Sequence, residues 1–267
     1  MMLKIKRFLK PVAMILGVLA IVVALGFVEH SSERRPVTAL DVQVDQPADV
    51  QFIDADGVRA LVLENGQGLI GSAMGEVEMT AIEERLRSLA CVSDVDVYST
   101  LDGVMHVRVK QRLPIVRVFN ADGSSFYIDR DGWSMPPTDT YTPRVLVVTG
   151  QLCEPYREGE HLVTATDTLM AHTRSDEILA MARTITADPF WNAMVDQVVV
   201  DINGEFELIP RIGGQRIAVG NGTDLERRLE KLRLFYAKGI PQVDWRRYAR
   251  IDVRFADQIV CTKRMTP

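Results

Sequence analysis

From Val12 to Val28 the chain reads VAMILGVLAIVVALGFV, seventeen residues without a charged or strongly polar side chain. As a helix such a run rises roughly 26 Å, near the short limit for crossing a hydrocarbon core. A core helix of that length normally shows a polar stripe, and this stretch shows none. Lys4, Lys6, Arg7 and Lys10 precede it, and no acid appears before Glu29. That positive flank holds the N-terminus in the cytoplasm and sends the body across the membrane. A cleaved signal peptide is the competing expectation, with Ala24-Leu25-Gly26 as a small-residue cleavage site. The apolar run is longer than the roughly 7–15 residues of a signal core, which favours an uncleaved anchor.

The formal net charge of −5 divides into +4 before Glu29 and −9 on residues 29–267. An acidic body argues against nucleic acid as a partner, because phosphate binding needs clustered Lys and Arg. Hydrophobic residues make up 47% of the chain, enough to bury a core. Cys91, Cys153 and Cys261 are an odd number without a C-x-x-C pair, so no disulfide framework is expected. Buried thiols, or one bridge plus a free thiol, both fit.

Residues 29–36, EHSSERRP, are polar and end in proline, as a linker would. TALDVQVD then alternates, with Leu40, Val42 and Val44 on one face of a strand. Past Asp54, Val58, Leu61 and Val62 fall at helical spacing until Asn65-Gly66 stops the helix. Thr80 with Glu83 fits a capping box, and Ile82, Leu86 and Leu89 form the stripe of a second helix. VSDVDVYS and VMHVRVK alternate on either side of Asp102-Gly103, a strong hairpin signal. The order over residues 37–110 is strand, helix, helix, strand, strand.

From Gln111 the texture changes to short strand candidates: PIVRVFN, SFYIDRDG, PRVLVVTG, DQVVVDING, EFELIPRI and QRIAVG. Turn residues separate them, the pattern of a mostly antiparallel sheet. Two helices interrupt it. One runs near Ser175–Ala187 with Ser175 as N-cap, the other near Thr223–Ala237 with Leu225, Leu229, Leu232 and Phe235 inward. YARIDVRF and QIVCT close this β-rich region.

The chain carries none of the common catalytic or metal-binding motifs. His30, His106, His161 and His172 do not stand at metal-ligand spacing, and His106 reads as a solvated or satisfied sheet residue. H-E-x-x-H, G-x-S-x-G and S-x-x-K are missing. Gly220-Asn221-Gly222-Thr223-Asp224 lacks the P-loop lysine and is explained by a Thr N-cap. Asp129-Arg130-Asp131-Gly132 lacks the twelve-residue calcium pattern and reads as a turn. RLEKLRLFYAKG interleaves Glu with its bases, as a solvated helix face does. No catalytic, cofactor-binding or metal-ligating residue is singled out, and neither enzyme activity nor a cofactor is expected.

The whole pattern resembles the FtsQ/DivIB family of bacterial division proteins. The resemblance is carried by GVMHVRVKQRLPIVRVFN, SSFYIDRDGWSMP, GQRIAVGNGTDLERRLEKLRLFY and ARIDVRF. QRLPIVRV resembles the family's junction between two exported domains, and Ile251 to Phe255 its penultimate strand. The resemblance implies an α+β chain. It has a cytoplasmic tail at 1–11, a single transmembrane helix at 12–28 and a linker at 29–36. A POTRA domain (βααββ) follows at 37–110, then a mostly antiparallel β domain with flanking helices at 111–264 and a C-terminal tail at 265–267.

What the family implies for function is a non-enzymatic scaffold of the division machinery, in the inner membrane with a periplasmic body. Its partners there are FtsB and FtsL, with the POTRA domain left for other division proteins. FtsB adds a strand to the terminal strand of the β domain. Carried over, the partner-binding residues are Gln258, Ile259, Val260, Cys261 and Thr262, with Arg254 and Phe255 at their entry. The sequence departs from the family in Cys261-Thr262-Lys263, where a Gly/Trp-containing tail occurs, and in its short cytoplasmic tail. A terminal strand is easily left at a sheet edge with unpaired backbone groups; the opposing expectation is that QIVCT pairs inside the sheet. POTRA-type domains also serve export and outer-membrane assembly, but they usually precede a long barrel, and helices near Ser175 and Thr223 contradict one.

Overall fold

The computed structural model describes residues 17–19, 34–45, 50–64, 68–139, 141–162, 173–239 and 245–264. Gly17–Leu19 are helical, and the rest of the expected membrane span at 12–28 lies outside the described residues, as do 1–11 and 265–267. Among the described residues no helix is long and apolar enough to cross a membrane. They form two compact units: residues 34–45 with 53–88 and 92–110, and residues 111–264 together with 50–52 and 89–91.

The first unit follows the alternation of its sequence. Strand β1 (Ala39–Asp45) is followed by helices α1 (Ala55–Glu64) and α2 (Met79–Arg87), then by β2 (Val92–Ser99) and β3 (Val104–Gln111). The sheet order is β1-β3-β2, with β1 parallel to β3 from Ala39↔Val104 to Asp45↔Lys110. Met105, Val107 and Val109 of β3 are buried with Val58, Val62, Ile82 and Leu86 of the helices. His106 points to the other face, where Nδ1 lies 3.0 Å from Asp41 Oδ2 and the ring stacks on Tyr98 at 5.0 Å. Of the two expectations, a solvated or a satisfied sheet residue, the second holds. Gly103 has φ +84° and turns the hairpin where a Cβ would stand 2.7 Å from the Pro36 carbonyl.

The second unit is built on one mixed sheet. Its strands are β4 (Pro114–Phe119), β5 (Ser125–Asp129), β6 (Ser134–Met135), β7 (Leu146–Gly150), β8 (Val195–Val200), β9 (Phe206–Pro210), β10 (Arg216–Gly220), β11 (Tyr248–Asp252) and β12 (Val260–Lys263). The order is β12-β11-β10-β9-β8-β7-β4-β5-β6. Neighbours are antiparallel except β4–β7, β7–β8 and β10–β11. Helices α3 (Ser175–Ala187), α4 (Pro189–Met194) and α5 (Leu225–Leu234) follow in the same unit. Ile178, Leu179, Ala182, Ile185, Trp191, Leu225, Leu229 and Leu232 join Val118, Val148, Val198, Leu208, Ile217 and Ile251 in one core.

Three expected caps are displaced. Thr80 lies inside α2, whose N-cap is Glu78 without a side-chain bond. Ser175 is the first residue of α3, and its hydroxyl donates to Glu154 Oε2 at 2.8 Å instead of capping. Thr223 donates both N–H and Oγ–H to Asn221 Oδ1, and Asp224, at φ +51°, takes the N-cap position. Beyond Leu234 the chain widens into a π turn, Phe235–Gly239, so the helix ends earlier than expected. Cys91, Cys153 and Cys261 are all free thiols.

Candidate partner-binding edge

The two ends of the large sheet differ. At one end β6 is two residues long and buried, and Ser134 N–H donates to Glu160 O at 2.9 Å on its outer side. Trp133 bridges to His161 beside it, so the segment around Glu160 covers that edge. At the other end β12 pairs, among the described residues, only inward, antiparallel to β11, through Arg250↔Thr262, Ile251↔Cys261 and Asp252↔Val260. QIVCT is therefore not enclosed between strands among the described residues. Val260 is 41% exposed, and Thr262 and Lys263 are exposed too, while Ile259 and Cys261 lean on the core. Burial pushes the Cys261 thiol up from its ordinary pKa, so it stays protonated and poorly nucleophilic at neutral pH.

The strand begins later than the sequence suggests. Gln258 and Ile259 precede β12, which runs Val260–Lys263, and the penultimate strand is Tyr248–Asp252 where Ile251 to Phe255 was expected. The cause lies in the side chains after Asp252. Arg254 turns back to grip Asp252, Nε to Oδ1 at 3.0 Å and Nη2 to Oδ2 at 2.6 Å, and also pairs with Glu205. Lys231 of α5 donates to the carbonyls of Val253, at 2.9 Å, and Phe255. These carbonyls are drawn toward the helix, so the chain leaves the ladder and Phe255 stands 45% exposed at the entry to β12.

The seven expected contact residues thus divide in three. Phe255, Gln258, Val260 and Thr262 are exposed along the open edge, Ile259 and Cys261 lean on the core, and the Arg254 guanidinium is engaged by two carboxylates. Lys231, Glu205 and Glu207 were not anticipated. Glu207 is 4% exposed and lies between Arg216 (3.3 Å) and Arg250 (3.0 Å), tying β9, β10 and β11 together beneath the edge. Nothing in RLEKLRLFYAKG signals that Lys231 turns back to the sheet, because its partners are backbone carbonyls from a distant segment.

The clamp should be sensitive to acid. Burial works against ionised Asp252, but hydrogen bonds from the Arg254 side chain and backbone outweigh it and hold the carboxyl below its ordinary range. A depressed carboxylate stabilises the fold above its unfolded pKa of about 3.9, and that contribution is lost as pH falls through the lower folded value. Amides 253–259, corrected for intrinsic rate, are expected to exchange faster only below about pH 4. An Asp252→Asn variant should exchange fast already at neutral pH and lose the acid step; retention of that step would remove Asp252 as its source.

The same strands are the region that known proteins share with this chain. Residues 113–262, more than half of the 267, match the family model described as FtsQ/DivIB, C-terminal related, and residues 36–110 match that of a POTRA-like domain. The chain belongs to the FtsQ/DivIB family. It is similar to the Cell division protein FtsQ of Rhodothermus marinus (strain ATCC 43812 / DSM 4252 / R-10), with 28% identity over 203 residues, 74% of this chain and 70% of that protein. The FtsQ/DivIB match spans β4 through most of β12, so the open edge lies within the family region. Among the described residues, no group of three or more His, Cys, Asp or Glu is placed to hold a metal ion.

Proposed function

We propose that this chain is a non-enzymatic scaffold of bacterial cell division. It is anchored in the inner membrane by 12–28, with its body in the periplasm, and binds FtsB- and FtsL-type partners by strand addition at β12. In that role it links early and late division proteins to septal cell-wall synthesis. The observation that carries the reading is the asymmetry of the sheet: one edge is covered, and the other offers a strand whose outer backbone groups meet no neighbouring strand among the described residues. An added strand gains main-chain hydrogen bonds there, and alternate side chains supply selectivity. Such an edge also invites aggregation, and Lys263 and Arg264 beside it guard against that.

The test is hydrogen exchange on the full chain in detergent, with and without an FtsB/FtsL periplasmic fragment. Saturable binding with new protection at amides 260–263 is expected. Protection confined to β1–β3, or none in β12, would sink the strand-addition reading.

A further inference from the structure

An apolar pocket of about 440 Å³ opens between α4 and the β9–β10 turn. Phe190, Ala193 and Met194 line it from α4, Ile212 from the β9–β10 turn and Tyr236 from the π turn. Ile212 is 74% exposed and Phe190 43%, so two large apolar side chains stand together at its mouth. Scattered single apolar residues are ordinary on a surface; a concave cluster of them marks a binding site. Gln215 on the floor is 2% exposed, and its Nε2 donates to Tyr236 Oη at 3.3 Å. Its Oε1 has no hydrogen-bond partner among the described residues, an unmade bond in an apolar setting.

The pocket lies where β12 runs out. Arg216, next to Gln215, pairs with Arg250, which pairs with Thr262. The Arg264 side chain packs on the same turn, since a Cβ on Gly214 would stand 2.6 Å from its Nη2. Ile217, Ile251 and Cys261 share a register row facing the core, and Gln215, two residues before Ile217, shares their face. A strand added outside β12 would lie about 14 Å from β10, a span that four or five extended residues cover.

The surroundings are cationic in an otherwise acidic body. Arg246 and Arg247 just before β11 and Lys263 and Arg264 at the end of β12 are the basic residues on this side of the sheet, where Arg264 N–H donates to Arg247 O at 2.7 Å. Arg250 and Arg254 are already engaged by Glu207 and by Glu205 with Asp252. Arg211 at the mouth is half-exposed, its Nε 3.5 Å from the exposed Asp196. Charge of this sign selects carboxylates on whatever approaches.

We infer that the polypeptide pairing with β12 carries, just beyond its paired segment, a Trp or Tyr flanked by carboxylates, and that this aromatic side chain seats in the pocket. The inference rests on the strand-addition reading. Trp and Tyr supply a large apolar body with one donor, which suits a pocket of this size holding one unpartnered acceptor. Buried aromatic anchors of this kind carry much of an interface's energy.

The test fills the pocket from outside. Ala193 is exposed on α4, so Ala193→Trp occupies the space without displacing a core residue. In the full chain in detergent, it is expected to weaken the FtsB/FtsL fragment roughly 10–100-fold, mainly through faster dissociation. Protection of amides 260–263 should persist at saturating fragment. Arg211→Glu should weaken binding several-fold at low salt and less at high salt. Ile212→Ser, in an exposed turn, gives a second measure if the tryptophan perturbs folding. Unchanged affinity in Ala193→Trp and Ile212→Ser, with altered thermal stability or without it, overturns the inference. If the prolines in β12 described below still abolish binding in that case, strand addition stands and only the pocket fails.

Discussion

Proline at Cys261 and proline at Thr262 are both expected to abolish partner binding, but only one of the two variants should lose stability. Along an antiparallel ladder, adjacent residues direct their N–H groups to opposite sides. One of these prolines therefore deletes a bond to β11, and the other deletes an N–H that faces away from the sheet. The second variant keeps the β11–β12 ladder, including Asp252↔Val260, and should melt within a degree or two of the unmodified chain. It has nonetheless lost a donor that an added strand needs, and its ring obstructs close approach. Affinity for the FtsB/FtsL fragment should fall at least about thirtyfold, the scale of an interface hot spot. The other variant loosens β12 itself, exposing the sides of Ile259 and Cys261 that lean on the core. Comparing the two makes no assumption about which N–H faces out. If both bind as the unmodified chain does, β12 is not the interface; if both unfold, β12 is integral to the core and cannot act as a free edge.

That comparison is available because the strands could be read locally while their neighbours could not. In β3 the alternation VMHVRV alone puts Met105, Val107 and Val109 inside and His106 and Arg108 outside, and the fold follows it. No local pattern shows that β7 lies between β4 and β8, parallel to both, or that β10 pairs in parallel with β11. Those pairings depend on what lies far along the chain. Caps failed for the same reason: the Ser175 hydroxyl is drawn to Glu154, twenty-one residues earlier in sequence. Helix α4 was not anticipated. Pro189 occupies its first turn after Asp188, whose Oδ1 accepts from Phe190 N–H at 2.9 Å. At the candidate edge, composition gave the terminal strand, but the Arg254 and Lys231 contacts moved its start to Val260.

Asp129→Ala is expected to destabilise the chain most, by about 3–5 kcal/mol, the cost of breaking a buried ion pair. Asp129 is 3% exposed and ends β5. Its Oδ1 accepts N–H groups from Asp131 (2.9 Å), Gly132 (2.8 Å) and Trp133 (2.8 Å), closing the turn expected from DRDG. Its Oδ2 receives Arg112 Nη1 at 3.1 Å, and the Arg112 guanidinium lies 4.4 Å over the Trp133 ring. Alanine would strand three backbone donors and a guanidinium whose side chain is only 11% exposed. Thermal unfolding should shift down by roughly 10 °C. Asp129→Asn keeps an acceptor for the turn but loses the charge, so an intermediate shift is expected. Both carboxylate oxygens are engaged by donors, so calcium should leave the melting temperature of the unmodified chain unchanged; a rise would mean that the loop binds a cation. Asp129 lies on β5, next to the covered edge and seven strands from β12. The folded fraction of Asp129→Ala should therefore bind the partner fragment as the unmodified chain does. Equal affinity there, beside lost affinity in the stable proline variant, separates the residues that hold the sheet together from those that offer its edge.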